Sequence, residues 1–212
     1  MVNFIIVRHG YSRGNKEKRF SGQMNVPLDD VGLRQAQAVS DYIAENFCVD
    51  CIYSSDLSRA FDTVKPLSQR LGIDIITDAG LRECDVGKWQ GMLIEDVKDV
   101  FPESFELYRK CPGLARFDGG ESYEELMLRA KETFERIARD NDGKSIVIGT
   151  HGGVIRTLRA AWDGIPLVRI GEIPHVPNAS VTVACYDSGR IEWQRIGYCD
   201  YLTDKTTEEG VK

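Results

Sequence analysis

Six short apolar runs punctuate this chain, and the stretches between them carry helical rather than strand periodicity. The runs are Phe4 to Val7, Cys51 to Tyr53, Asp74 to Ile76, Ser145 to Ile148, Val181 to Tyr186 and Ile191 to Ile196. Strands alternating with helices imply an α/β fold, in which each helix carries the chain back to a parallel strand. The last two runs are joined by Asp187-Ser188-Gly189 and read as a hairpin. The expected sheet therefore has about six strands, mostly parallel, with one antiparallel strand at an edge.

The first helix is expected after Asp29 or Asp30, with Leu33, Ala36, Val39, Ile43 and Phe47 as its apolar stripe. A second should run from about Leu57 to Leu71, stopped by Gly72 and kinked or restarted at Pro66. Ser122 and Glu125 form a capping box ahead of Leu126, Ala130, Phe134 and Ile137. A fourth helix opens after Gly152 and Gly153.

With 212 residues, one domain is expected over 1–203, followed by a frayed tail from Asp204 to Lys212. The charged fraction, 28%, is that of an ordinary globular protein, and a net charge of −6 without a basic stripe argues against a nucleic-acid partner. Arg8 and His9 break the apolar start before a signal core could form, and no later stretch approaches a membrane span, so a cytoplasmic location is expected. The six cysteines then read as reduced thiols. Cys48 and Cys51 make a CxxC with no second pair to complete a zinc site, and buried thiols are the expectation.

Chemistry concentrates where two of the runs end. "FIIVRHG" closes on Arg8, His9 and Gly10, and "SIVIGTHGG" closes on His151, Gly152 and Gly153. Functional groups of an open parallel sheet collect beyond the carboxyl ends of its strands, where neighbours lie about 4.8 Å apart. His9 and His151 are therefore expected to meet. A lone strand-end histidine is more often structural; two, each followed by glycine, reverse the odds. Arg8 is a poor neighbour for a metal cation and a good fork for an oxyanion, and Arg59, one turn into a helix after a strand end, can converge on the same crevice.

These residues carry a family resemblance. RHGxxxxN at Arg8 to Asn15, FSG at Phe20 to Gly22, SSDLxRAxxT at Ser54 to Thr63, LRE at Leu81 to Glu83, GGES at Gly119 to Ser122 and THGG at Thr150 to Gly153 follow in order. In sequence and spacing the chain resembles the histidine phosphatase superfamily, in its phosphoglycerate mutase-like branch. The resemblance implies a three-layer α/β/α sandwich, no metal and no cofactor. It also implies His9 as a nucleophile that becomes phosphohistidine, with Arg8, Arg59 and His151 on the equatorial oxygens. Asn15, Ser21, Gly22 and Gly152 would line the substrate. His9 must attack as neutral imidazole, its other nitrogen held by a backbone carbonyl. Glu83 would protonate the leaving alkoxide and then take a proton from water, with Asp56, Asp85 and Glu121 as rivals.

Mutases of this kind carry a longer insert before GGES, whereas the acid loop here, "RECDVGKWQG", is more like that of phosphatases. The expected reaction is metal-independent hydrolysis of a small phosphorylated metabolite. A 2,3-bisphosphoglycerate-dependent phosphoglycerate mutase is the alternative, and a non-catalytic phospho-ligand binder is the reading from another class. Tyr11 departs from the polar residue common after RHG, which weakens any substrate assignment at that position. Residues 92–118 read as a helical flap, with Phe101, Phe105, Leu107, Tyr108, Leu114 and Phe117 mostly packing it onto the core. Asn178-Ala179-Ser180 resembles a glycosylation site and is discarded, and His175 is expected in a turn or on the rim. A homodimer is left open by charge and composition.

Overall fold

The computed structural model describes residues 1–203, so the expected tail lies outside the described residues. Its sheet has six strands in the order β3-β2-β4-β1-β5-β6. These are β1 (Val2–Arg8), β2 (Cys51–Ser54), β3 (Ile75–Thr77), β4 (Ser145–Thr150), β5 (Val181–Asp187) and β6 (Arg190–Tyr198). Strands β3, β2, β4 and β1 are parallel. β5 runs against β1, and β6 returns against β5 to close that edge. The hairpin turn places Ser188 and Gly189 both at positive φ, 49° and 88°, the mirror-image turn whose twist suits a two-residue connection.

Strand β1 is a continuous apolar run because both of its faces are covered. Phe4 and Ile6 pack with Leu126, Phe134 and Leu158 of helices α6 (Tyr123–Asp140) and α7 (Gly152–Trp162). Ile5 and Val7 pack on the other face with Val39 and Ile43 of α2 (Asp30–Asn46) and Val64 and Leu67 of α3 (Ser58–Leu71). The result is the three-layer α/β/α arrangement. A short α1 (Arg13–Lys16) follows β1, and α4 (Ile94–Val100) and α5 (Pro102–Lys110) lie within the expected flap segment. There Trp89, buried, takes ring contacts from Phe101, Phe105, Tyr108 and Phe117 at centroid distances of 5.0 to 6.4 Å. Among the described residues, no helix is long and apolar enough to cross a membrane.

Local signals are used as written. Asp29 caps α2 by accepting from Gly32 N at 3.0 Å, and Ser122 and Glu125 close their capping box. Gly72 ends α3 at φ +67°, and α3 runs through Pro66 without restarting. Other details differ too. Leu33, expected in the stripe of α2, is 55% exposed. A methyl on Gly32 would sit 2.0 Å from Tyr11 O, so the backbones touch there and the glycine side of the helix faces inward. The third strand starts at Ile75 rather than Asp74, and Ile76, on that edge, is exposed. Cys48, expected as a buried thiol, is exposed because it lies in the loop after α2.

Candidate active site

Parallel pairing of β1 with β4 sets Arg8 opposite Thr150, so the residues that follow, His9 and His151, emerge side by side. Their ring centroids are 5.2 Å apart, tilted by 57°. The turn after β1 is fixed by its backbone. His9 N donates to Thr150 O at 2.9 Å, and His9 O accepts from Asn178 Nδ2 and Ala179 N, both at 3.1 Å. Gly10 N donates to Thr63 Oγ1 at 2.9 Å.

His9 Nδ1 lies 2.8 Å from Gly10 O, and because a carbonyl only accepts, Nδ1 carries the proton. Nε2 then keeps its lone pair, and His9 lines the cleft. Burial, followed by the charges of Arg59 and Arg8, holds His9 well below the ordinary histidine pKa. His151, fully buried, is pushed the same way by burial first and then by Arg59, His9 and Arg8. Its Nε2 meets Ser55 Oγ at 2.9 Å, and its Nδ1 has no hydrogen-bond partner among the described residues.

The two expected arginines are both buried, and each holds backbone carbonyls. Arg8 donates from Nη1 to Val176 O. Arg59 donates to Met24 O at 2.9 Å and to Gly22 O at 2.7 Å, which draws the loop carrying Ser21 and Gly22 to the cleft. Gly152 is small for a reason: a methyl there would stand 3.2 Å from the Arg8 guanidinium carbon. Asn15 lines the cleft, with its Oδ1 accepting from Ser12 N at 3.0 Å and Ser12 Oγ at 2.8 Å.

Glu83 accepts from Gly153 N at 3.0 Å and from Cys84 N at 2.9 Å. A methyl on Gly153 would lie 2.2 Å from Glu83 Oε1, so the second glycine of THGG makes room for the Glu83 carboxylate. The three rivals are committed elsewhere. Asp56 pairs with Arg82, Asp85 accepts from Gly87 N at 2.9 Å, and Glu121 takes Arg129 in a fork of two 2.8 Å bonds. Of these four carboxylates only Glu83 lines the cleft.

That cleft encloses about 1280 Å³ and is lined by Arg8, His9, Asn15, Ser21, Gly22, Arg59, Glu83 and Gly152. His151 stands behind them, ring against ring with His9. All nine sequence-derived site residues therefore converge. Sequence reasoning missed Ser55, Thr63, Asn178 and Arg156. Ser55 and Thr63 lie inside a matched motif without having been weighed, and Asn178 was considered only as a glycosylation site. His175 is at the cleft as expected, bonded to Arg156 at 2.9 Å.

Fixed cationic donors around a neutral imidazole suit a phosphomonoester dianion, whose transfer needs positioning and neutralisation of spread charge. The class the fold and cleft define is thus a phosphoryl-transfer enzyme. The model of the histidine phosphatase superfamily (branch 1) matches residues 4–198, and the chain belongs to that family. It is 35% identical over 164 residues to phosphoglycerate mutase-like protein 4 of Arabidopsis thaliana, covering 74% of this chain and 69% of that protein. It is 30% identical to phosphoserine phosphatase 1 of Hydrogenobacter thermophilus, covering 86% of each. The solved structure of Bacillus stearothermophilus YhfR superposes with a TM-score of 0.90 at 28% identity, over 95% of this chain and 99% of that one.

Proposed function

We propose that the protein is a metal-independent phosphomonoesterase that hydrolyses a small phosphorylated metabolite through a phosphohistidine on His9. The observation that carries this reading is the tautomer of His9: Gly10 O takes the Nδ1 proton, leaving Nε2 as nucleophile in a cleft that Glu83 shares. The Nε2 lone pair attacks phosphorus while the bond to the ester oxygen breaks. Arg8, Arg59, Asn15 and His151 donate to the equatorial oxygens. The departing alkoxide takes its proton from Glu83. Water then attacks phosphorus, gives a proton to Glu83, and the P–N bond returns its electron pair to Nε2.

Residues 1–203 act as one domain in this reading, with 92–118 as a flap over the cleft. Six free cysteines suit a cytoplasmic setting. A phosphoglycerate mutase would share the first half of this cycle, so the deciding experiment offers the purified protein 3-phosphoglycerate, with and without 2,3-bisphosphoglycerate, beside a panel of phosphomonoesters in EDTA. Free phosphate is expected. Isomerisation without phosphate release overturns the assignment.

A further inference from the structure

Arg156 lies one turn beyond Gly152 and Gly153 on the same face of α7, and it lines the cleft that His9 and Glu83 line. It is 8% exposed. Nε donates to Ile173 O at 2.8 Å, and Nη1 donates to His175 Nε2 at 2.9 Å. The accepting histidine nitrogen must be unprotonated, so this tether orients the guanidinium without neutralising it. Nη2 has no hydrogen-bond partner among the described residues, and the side chains acting on the arginine's charge are the Tyr123 and Tyr108 phenols, not a carboxylate. An uncompensated cation this deep is unfavourable. The phosphoryl-transfer steps above make no use of it.

We propose that Arg156, oriented by His175, binds a carboxylate on the alcohol portion of the substrate. This inference rests on the phosphatase reading. One open edge and a single charge match a planar monoanion better than a second phosphate dianion. Arg156 sits about 6 Å along the helix from Gly152, so a short carbon skeleton can join a carboxylate here to a phosphate at His9. Phosphoserine and phosphoglycerate, the compounds in the names of two relatives, both carry such a group.

The test uses His9→Ala protein, which cannot form the phosphohistidine, titrated calorimetrically with 3-phosphoglycerate and with glycerol 3-phosphate, which lacks the carboxylate. The carboxylate ester is expected to bind about tenfold or more tightly. Adding Arg156→Met should erase that preference while moving glycerol 3-phosphate by less than about threefold. Arg156→Lys, which keeps the charge and loses the fork, guards against a fold defect in the methionine variant and should keep part of the preference. Equal binding of the two esters to the parent protein, or equal losses for both in the variants, overturns the proposal. The phosphatase reading fails separately, if wild-type protein releases phosphate from neither ester nor from an aryl phosphate.

Discussion

His9 and His151 stand ring to ring at 5.2 Å although they lie far apart in the chain. The contact is a consequence of strand register: with Arg8 opposite Thr150, the next residue on each strand enters the same space. Only one of the two has its Nδ1 held by a backbone carbonyl, and that asymmetry is what supports His9 as the proposed nucleophile.

His9→Ala should therefore abolish phosphate release from an aryl phosphate, with a loss of at least about 10³-fold, as expected when a covalent nucleophile is removed. Alkaline quench followed by mass spectrometry should find phosphate on His9 in wild-type protein and on no residue in the variant. Phosphorylation at His151 instead would reverse the assignment.

Glu83 and Gly153 form one unit, because the glycine both donates to the carboxylate and leaves it space. Glu83→Gln should lower turnover of alkyl phosphates by about 10²- to 10⁴-fold, while aryl phosphates, whose leaving groups need no proton, still load the enzyme and let phosphohistidine accumulate. Gly153→Ala should reproduce the leaving-group dependence with the carboxylate intact, by displacing it. Equal losses on aryl and alkyl esters in both variants would remove Glu83 from the acid role.

The parts of this architecture legible in the sequence are those set by local pattern or by burial on both sides. β1 and β4 read as unbroken apolar runs because helices cover both faces, the glycine after His9 marks a close approach to the Gly32 backbone, and the two after His151 leave space for the Arg8 guanidinium and the Glu83 carboxylate. What stayed hidden depends on contacts between distant segments. The phase of α2 is set by Gly32 meeting Tyr11, which no periodicity in the helix reports. Asn178 carries no pattern either, since its role is to reach back to His9 O at 3.1 Å.

Asn178→Ala should accordingly slow the reaction without touching substrate. It deletes one of two donors to the His9 carbonyl, which keeps Ala179 N, a loss of about 0.5–1.5 kcal/mol in unfolding free energy. Urea unfolding checks that value. An accompanying fall in kcat with KM unchanged would show that the loss acts through the placement of His9, whereas unaltered kcat would make Asn178 purely structural.

Burial and the neighbouring Arg59 and Arg8 charges keep both imidazoles neutral in the folded protein to lower pH than in the unfolded chain. In the unfolded chain each titrates at about 6.5. As pH falls below that value the unfolded state binds protons that the folded state refuses, so stability present above it is lost on acidification. Each histidine contributes a slope of at most about 1.4 kcal/mol per pH unit over this window. His151→Gln removes one of the two while keeping a group that can bond Ser55, so its unfolding free energy should depend on pH about half as steeply below 6.5. Urea midpoints measured from pH 7.5 down to 5 give both slopes. Parallel curves for the two proteins would mean that His151 takes up its proton as readily folded as unfolded, against the burial that encloses it.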